Sequence, residues 1–292
     1  MSSFSLRPAL RAARRAVLFV PVLALSSCGV GFRLFHPVGP VATTEWNTTL
    51  LSTGIMLLII APVTVLIAVF CWKYRKGRNA KYDPSWSHSL PLELLMWGVP
   101  FLMVIALGVI SYNTTMLVNP ADPRALAQHP GAVGEPPLQV DVITTDWQWL
   151  FIYPDQHIAT IDQLEVPAGR EVRLRMTSAT VTNDFYIPQV AAMMDVMPGM
   201  RTLDTFTVDN PGNYEGFSAN FSGDGFSWMQ FMTNIVPPAA FDAWVAKTQN
   251  APEHLDFASF QTLAKPTINK DIKPSYFSQV SGKLWDQVYA SI

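Results

Sequence analysis

In this 292-residue chain the stretch Gly216-Phe-Ser-Ala-Asn-Phe-Ser-Gly-Asp-Gly-Phe-Ser-Trp-Met229 has the spacing of a metal-holding loop. Ser218 and Ser222 stand four apart, Phe226 follows four later, and Met229 comes three after that. Soft metals take Cys thiolates and His imidazoles as ligands. Here the positions carry other chemistry. A serine hydroxyl stays protonated near neutral pH and cannot bridge two coppers as a thiolate does, and a phenyl ring has no lone pair to give. Between Leu138 and Pro237 there is no Cys and one His, His157. The residue types therefore predict a packed turn between strands, with Phe217, Phe221, Phe226 and Trp228 as core, in preference to a metal site.

Three further groups could do chemistry. Glu93 opens a long uncharged run and is read as the carboxylate at the edge of the two apolar segments. An acid behind Pro91 suits a helix start, where the dipole favours negative charge. An intramembrane carboxylate is also a candidate for proton traffic, and the residues alone leave both roles open. Met193, Met194, Met197 and Met200 cluster before a Pro-Gly turn. A copper(I) site is conceivable there, but Met more often fills cores and interfaces. Cys28 closes Leu25-Ser-Ser-Cys28-Gly29 and resembles the lipid-modified cysteine of a bacterial lipobox. The five histidines lie far apart, and no pair has zinc spacing.

The elements that position these groups follow from composition. Charged residues are only 14% of the chain, which points to membrane segments. Residues 1–27 read as a signal peptide: Arg7, Arg11, Arg14 and Arg15 precede the short apolar run Ala16 to Leu25. Residues 28–45 are an N-terminal periplasmic segment. Trp46 through Trp72 carry no charge and are long enough to span a bilayer, with Pro62 inside. Lys73, Arg75, Lys76, Arg78 and Lys81 then place the loop 73–89 in the cytoplasm. A second span covers 90–112, with Pro100 inside, and a Pro-rich linker covers 113–137. Both outer ends of this helical hairpin face the periplasm, and so does the rest of the chain.

Residues 138–237 read as an all-β domain. Trp147, Trp149, Phe151 and Tyr153 alternate along one strand. Ile161–Val166 and Glu171–Thr177 flank the turn Val166-Pro-Ala-Gly169 and read as a hairpin. Many short strands with Pro/Gly turns predict a sandwich or barrel. The domain holds twelve acidic residues against four Arg and no Lys, which argues against nucleic acid as a partner. Residues 238–292 read as a helical C-terminal region, with Phe241, Trp244 and Val245 inward on its first helix.

The loop pattern resembles the copper loop of cytochrome c oxidase subunit II. There, Cys occupies the positions of Ser218 and Ser222, His that of Phe226, and Met that of Met229. A Glu giving a backbone carbonyl stands at Asn220, and an earlier His at Asn183. Only Met229 is retained. With the two spans and the lipobox, the emptied pattern resembles subunit II of the cytochrome bo-type ubiquinol oxidases, over nearly the whole chain.

That resemblance implies a cupredoxin-like Greek-key barrel behind a two-helix membrane hairpin and a short helical tail. It implies a bacterial inner-membrane subunit of a complex that oxidises ubiquinol, reduces oxygen to water and moves protons. Hemes, copper and bound ubiquinol would belong to subunit I, with further small membrane subunits beside it. This chain would bind no cofactor, carry a covalent lipid on Cys28, and contact membrane lipid. The aromatic stripe would serve packing and contact with subunit I. Glu93, in Leu92-Glu-Leu-Leu-Met-Trp97, would stand at the cytoplasmic mouth of a proton channel in subunit I. The rival readings are a copper-bearing cytochrome c oxidase subunit II and a stand-alone membrane lipoprotein with a cupredoxin-like binding module.

Overall fold

The computed structural model describes residues 33–78, 85, 88–120, 136–268, 270–271 and 273–292. Cys28 and the leader before it lie outside the described residues, as does most of the linker. Arg33–Phe35 forms a single 3-10 turn, and the chain from Pro37 onward clusters as one unit.

Helix α1 (Pro40–Lys73) starts on Pro40 behind Gly39, because proline's fixed φ suits the first helical position and its missing N–H costs nothing there. At about 50 Å it exceeds the roughly 30 Å of a bilayer's hydrocarbon core. Helix α2 (Leu90–Val118) also begins with a proline in its first turn. Both helices are long and apolar enough to cross a membrane, and their large side chains face outward. Thr43, Thr44, Thr48, Thr49 and Thr64 return their hydroxyl protons to carbonyls four residues back, so these groups carry their partners with them. Thr48 Oγ1 also meets Thr114 Oγ1 at 3.4 Å, linking α1 to α2. The helix begins earlier than the uncharged run and takes in Glu45, so Glu93 is not the one carboxylate at the edge of a span.

The start of α1 docks on the β domain. The N–H groups of Val38 and Gly39 both donate to the Gln189 carbonyl, at 2.8 and 3.3 Å. A Cβ on Gly39 would come within 2.9 Å of the Val190 carbonyl oxygen, so only glycine fits this approach. Val41 and Ala42 are buried beside it.

The β domain is a sandwich of two sheets. Its strands are β1 (Leu138–Thr144), β2 (Trp149–Tyr153), β3 (Ile158–Ile161), β4 (Gln163–Pro167), β5 (Val172–Ser178), β6 (Asn183–Ile187), β7 (Ala191–Val196), β8 (Thr202–Phe206), β9 (Gly212–Ser218) and β10 (Gln230–Val236). After α3 (Pro238–Thr248) come β11 (Glu253–His254), α4 (Phe257–Leu263), β12 (Ser275–Ser278) and α5 (Leu284–Ser291). One sheet runs β11-β12-β3-β2-β1-β5-β8 and the other β4-β10-β9-β6-β7. Between them Trp149, Phe151, Phe185 and Phe231 pack with ring centroids 5.1–5.5 Å apart, within the range for aromatic pairs.

Three expectations change here. The predicted hairpin across Gly169 is not one. β4 pairs parallel with β10 in one sheet, while β5 pairs with β1 and β8 in the other. Leu164 and Val166 on one strand and Val172, Leu174 and Met176 on the other then bury in the same core, which side-by-side pairing in one sheet would not require. β9 takes in Gly216–Ser218, the first residues of the stretch expected to form a turn. Gly216 stands opposite Phe231, and a Cβ there would sit 2.1 Å from the Phe231 ring, so the glycine makes room for the core aromatic. The tail is more than helical: β11 and β12 extend the larger sheet, and α3 turns Phe241 into the core with Trp244 and Val245 against it.

The tail also explains why β2 is buried on both faces. Trp149, Phe151 and Tyr153 face the core between the sheets, while Leu150 and Ile152 face a second core with Leu255, Phe260, Phe277, Leu284 and Trp285.

Candidate functional site

The loop that could have held a metal joins β9 to β10, and β6 and the β1–β2 turn pack beside it. Asn183, at the start of β6, is fully buried. Its amide Nδ2 donates to Thr144 Oγ1 and to the Val181 carbonyl, each at 3.2 Å. Its Oδ1 accepts from Ser218 Oγ at 3.1 Å. The Asp184 N–H donates to Ser218 Oγ at 3.3 Å. Asn220 Nδ2 reaches the Thr182 carbonyl at 3.4 Å, tying the loop back to the chain before β6. The structure therefore brings Asn183, Ser218 and Asn220 together in a hydrogen-bonded cluster.

The remaining positions are held differently. The Ser222 carbonyl accepts from Trp147 Nε1 at 2.8 Å. The Ser222 hydroxyl is buried without a partner among the described residues. Trp147 lies flat against Gly223 and Gly225, where a Cβ on Gly225 would meet its ring at 2.4 Å. The missing side chains at these glycines let the indole approach the loop backbone. Phe226 meets Phe221 edge to ring at 5.6 Å. Met229 is buried in the core, and its carbonyl accepts from Trp149 Nε1 at 3.4 Å and from the Ser218 N–H at 3.2 Å.

This donor set does not fit a thiolate-bridged copper pair. The Asn183 amide is engaged at both ends, the Ser218 hydroxyl is shared between Asn183 and backbone, and Phe226 offers carbon only. Met229 is the one soft atom.

The loop aromatics differ from the expected core. Phe221 is 75% exposed and Trp228 is 37% exposed, while Phe231 and Phe185 fill the interior. Alternation along β10 starts at Gln230, after a 3-10 turn at Phe226–Trp228, so the preceding aromatics fall outside the sandwich. The Met cluster also divides. Met194 packs against the core, whereas Met193 and Met200 are exposed.

Glu93 sits in the first turn of α2, its N–H bonded to the Ser89 carbonyl at 3.0 Å. Its Oε1 lies 2.7 Å from His88 Nδ1, and both side chains are substantially exposed.

The sequence reading did not single out the buried carboxyl groups of the β domain, among them Asp141 and Asp204. Asp141 pairs with Arg175 Nη2 at 2.6 Å beneath α5. Burial pushes its carboxyl up, and the Arg175 guanidinium pulls it back. Asp204 is buried in β8, with Oδ1 accepting from the Thr205 N–H at 2.8 Å. Both lie in strand alternation where apolar residues are the rule, and nothing in the sequence spacing marks them.

Two helices long and apolar enough to cross a membrane thus lead into a two-sheet sandwich that carries this β9–β10 loop. The family described as cytochrome C oxidase subunit II, periplasmic domain, matches residues 156–236. The cytochrome bo(3) ubiquinol oxidase subunit 2 of Pseudomonas putida is 39% identical over 87% of this chain and 78% of its own length. The ubiquinol oxidase subunit 2 of Acetobacter aceti is 37% identical over 91% of this chain and 85% of its own. Among solved structures, the periplasmic domain of cytochrome oxidase subunit II of Bradyrhizobium japonicum is similar at 21% identity and a TM-score of 0.37, covering 40% of this chain and 96% of that one. The chain belongs to the subunit 2 family of ubiquinol oxidases.

Proposed function

We propose that this chain is the redox-silent subunit II of a proton-translocating ubiquinol oxidase. Its helical hairpin sits in a bacterial inner membrane, its β domain lies in the periplasm, and a lipid on Cys28 anchors its mature end. Ubiquinol, the hemes and copper are held by subunit I, where oxygen is reduced to water. The work of this chain is assembly, cover for the periplasmic face of subunit I, and proton entry at Glu93. Further small membrane subunits complete the complex.

The observation that carries this reading is the β9–β10 loop. In a member of the ubiquinol oxidase subunit 2 family, the copper-ligand positions are occupied by an amide–hydroxyl cluster and a phenyl ring. Electrons then have no entry through this domain, and a membrane-soluble quinol reaching subunit I directly is the donor that needs none. The first test is oxygen uptake by the purified complex, offered ubiquinol and, separately, reduced cytochrome c. Uptake with ubiquinol alone is expected. Uptake with cytochrome c would overturn the reading of residues 216–229. Mass spectrometry of the mature N-terminus tests the anchor: an unmodified Cys28 or a retained Met1 would remove it.

A further inference from the structure

The turn that closes α1 gathers four cationic side chains in six residues. Lys73, Arg75, Lys76 and Arg78 crowd the end of the apolar run, and all are exposed. The ion pairs formed among the described residues involve none of them. Instead, two guanidinium groups turn back onto one indole. Arg75 Cζ lies 4.7 Å from the Trp72 ring centroid, and Arg78 Cζ lies 5.1 Å from it. Lys73 Nζ stands 5.6 Å from the Tyr74 ring centroid. Stacking uses the face of a guanidinium and leaves its edge N–H donors available, the fork that binds a phosphate through two bonds at once.

Beside this cluster is an open cleft of about 490 Å³ lined by Ala68, Val69, Trp72, Lys73 and Arg78. Its two ends differ in chemistry. Ala68 and Val69 give a hydrocarbon wall on the membrane side, and Lys73 and Arg78 give a cationic rim at the end of the helix. A free phosphate would use only the rim. A zwitterionic lipid would bring an ammonium against the same cations. A lipid with an acyl chain and a net negative phosphodiester matches both ends, and basic residues at the cytoplasmic end of a span favour anionic headgroups.

We propose that this cleft binds an anionic phospholipid, with its phosphodiester on Lys73 and Arg78, beside Arg75 stacked on Trp72, and an acyl chain along Ala68 and Val69. The inference rests on the reading of α1 as a membrane span.

The test is native mass spectrometry of the purified complex in neutral detergent, titrated with dioleoylphosphatidylglycerol or dioleoylphosphatidylethanolamine. The phosphatidylglycerol adduct is expected at roughly tenfold lower lipid concentration. Replacing both stacked arginines by lysine, Arg75→Lys with Arg78→Lys, keeps the charge that sets membrane orientation but loses the fork. That variant is expected to bind phosphatidylglycerol about fivefold more weakly. Lys76→Gln, on the same turn but outside the cleft, is expected to bind as the parent does. Equal binding of the two lipids overturns the proposal, and so does a lysine variant that binds like the parent. Displacement of the lipid by millimolar inorganic phosphate would reassign the site to free phosphate and also overturn it. A chain that stays soluble without detergent would instead overturn the span reading.

Discussion

Ser218 Oγ donates to Asn183 Oδ1 at 3.1 Å and thereby joins β9 to β6 at the mouth of the β9–β10 loop. Both residues are buried. The bond is part of a closed set, because Asn183 Nδ2 spends its protons on Thr144 and Val181. A buried amide costs free energy unless its donors and acceptors are met, and here they are met by Thr144, Ser218 and the Val181 carbonyl. The polar contacts do the positional work that coordination would do in a metal-bearing loop.

The two residues should therefore be energetically coupled. Ser218→Ala and Asn183→Ala are each expected to destabilise the β domain by about 1–3 kcal/mol, through the polar partner left unmet. The double variant is expected to fall short of the sum by about 1 kcal/mol. Urea unfolding of the full chain in detergent, followed by tryptophan fluorescence, measures the cycle. Additive losses would show that the contact carries no coupling.

Glu93 separates function from stability. Its pairing with His88 is solvent-facing, and exposed ion pairs contribute roughly 0–1 kcal/mol, so Glu93→Ala should leave unfolding nearly unchanged. As a proton entry point, the same change is expected to lower ubiquinol-driven oxygen uptake on the order of tenfold, a modest share of what a positioned proton-transfer group supplies. Reduction of the heme-copper site in the complex should slow with it. Glu93→Asp keeps a carboxylate and should retain more activity than Glu93→Ala. Unchanged turnover and unchanged reduction in Glu93→Ala would remove Glu93 from the proton path.

The membrane helices and the absence of soft ligands were legible because each is a matter of residue type over a continuous stretch. The uncharged run to Trp72 and the Ser and Phe at ligand positions need no tertiary information. The sheet partners of β4 and β5 were not legible, because a Pro-Ala-Gly turn between two alternating strands reads alike for a hairpin and for a crossing between sheets. β9 was hidden by Gly216, whose role depends on Phe231 in the next strand. Phe221, Phe226 and Trp228 read as core from apolarity alone, yet Phe221 lies in the loop after β9 and the 3-10 turn holds Phe226 and Trp228 ahead of β10. Leu150 and Ile152 gave no sign that a tail more than a hundred residues away would cover them.

That cover is held by Trp285. The side chain is fully buried, donates Nε1–H to the Val142 carbonyl at 3.2 Å, and stacks on Tyr289 at 5.2 Å. Arg175 Cζ lies 4.0 Å from its ring centroid and ties it to Asp141 and Asp286. Trp285→Ala is expected to cost about 3–5 kcal/mol, because the second core would keep the cavity. Arg175→Gln, which leaves the Asp141 carboxylate buried without its cation, is expected to cost about 3 kcal/mol. Thermal unfolding of the full chain by circular dichroism gives both. A Trp285→Ala chain as stable as the parent would mean that α5 is an appendage and the outer face of β2 is stable without it.

Asp204 makes the β domain's stability depend on pH in an unusual direction. Burial pushes its carboxyl up to about 7; the Thr205 N–H pulls it down, and the charge of Glu45 raises it again. Its Oδ2 has no partner among the described residues. In the unfolded chain the same group titrates near 3.8. Between these values the folded state holds a proton that the unfolded state has released, so rising pH favours unfolding. The contribution is fully present below about pH 4 and is lost as pH climbs through about 7, by roughly 4 kcal/mol at most. Asp204→Asn removes the titration, and its stability should vary less between pH 5 and pH 8 than that of the parent. Urea unfolding at the two pH values compares the slopes. Equal slopes in parent and variant would mean that the Asp204 carboxyl is ionised in the folded domain, stabilised by contacts other than the Thr205 N–H.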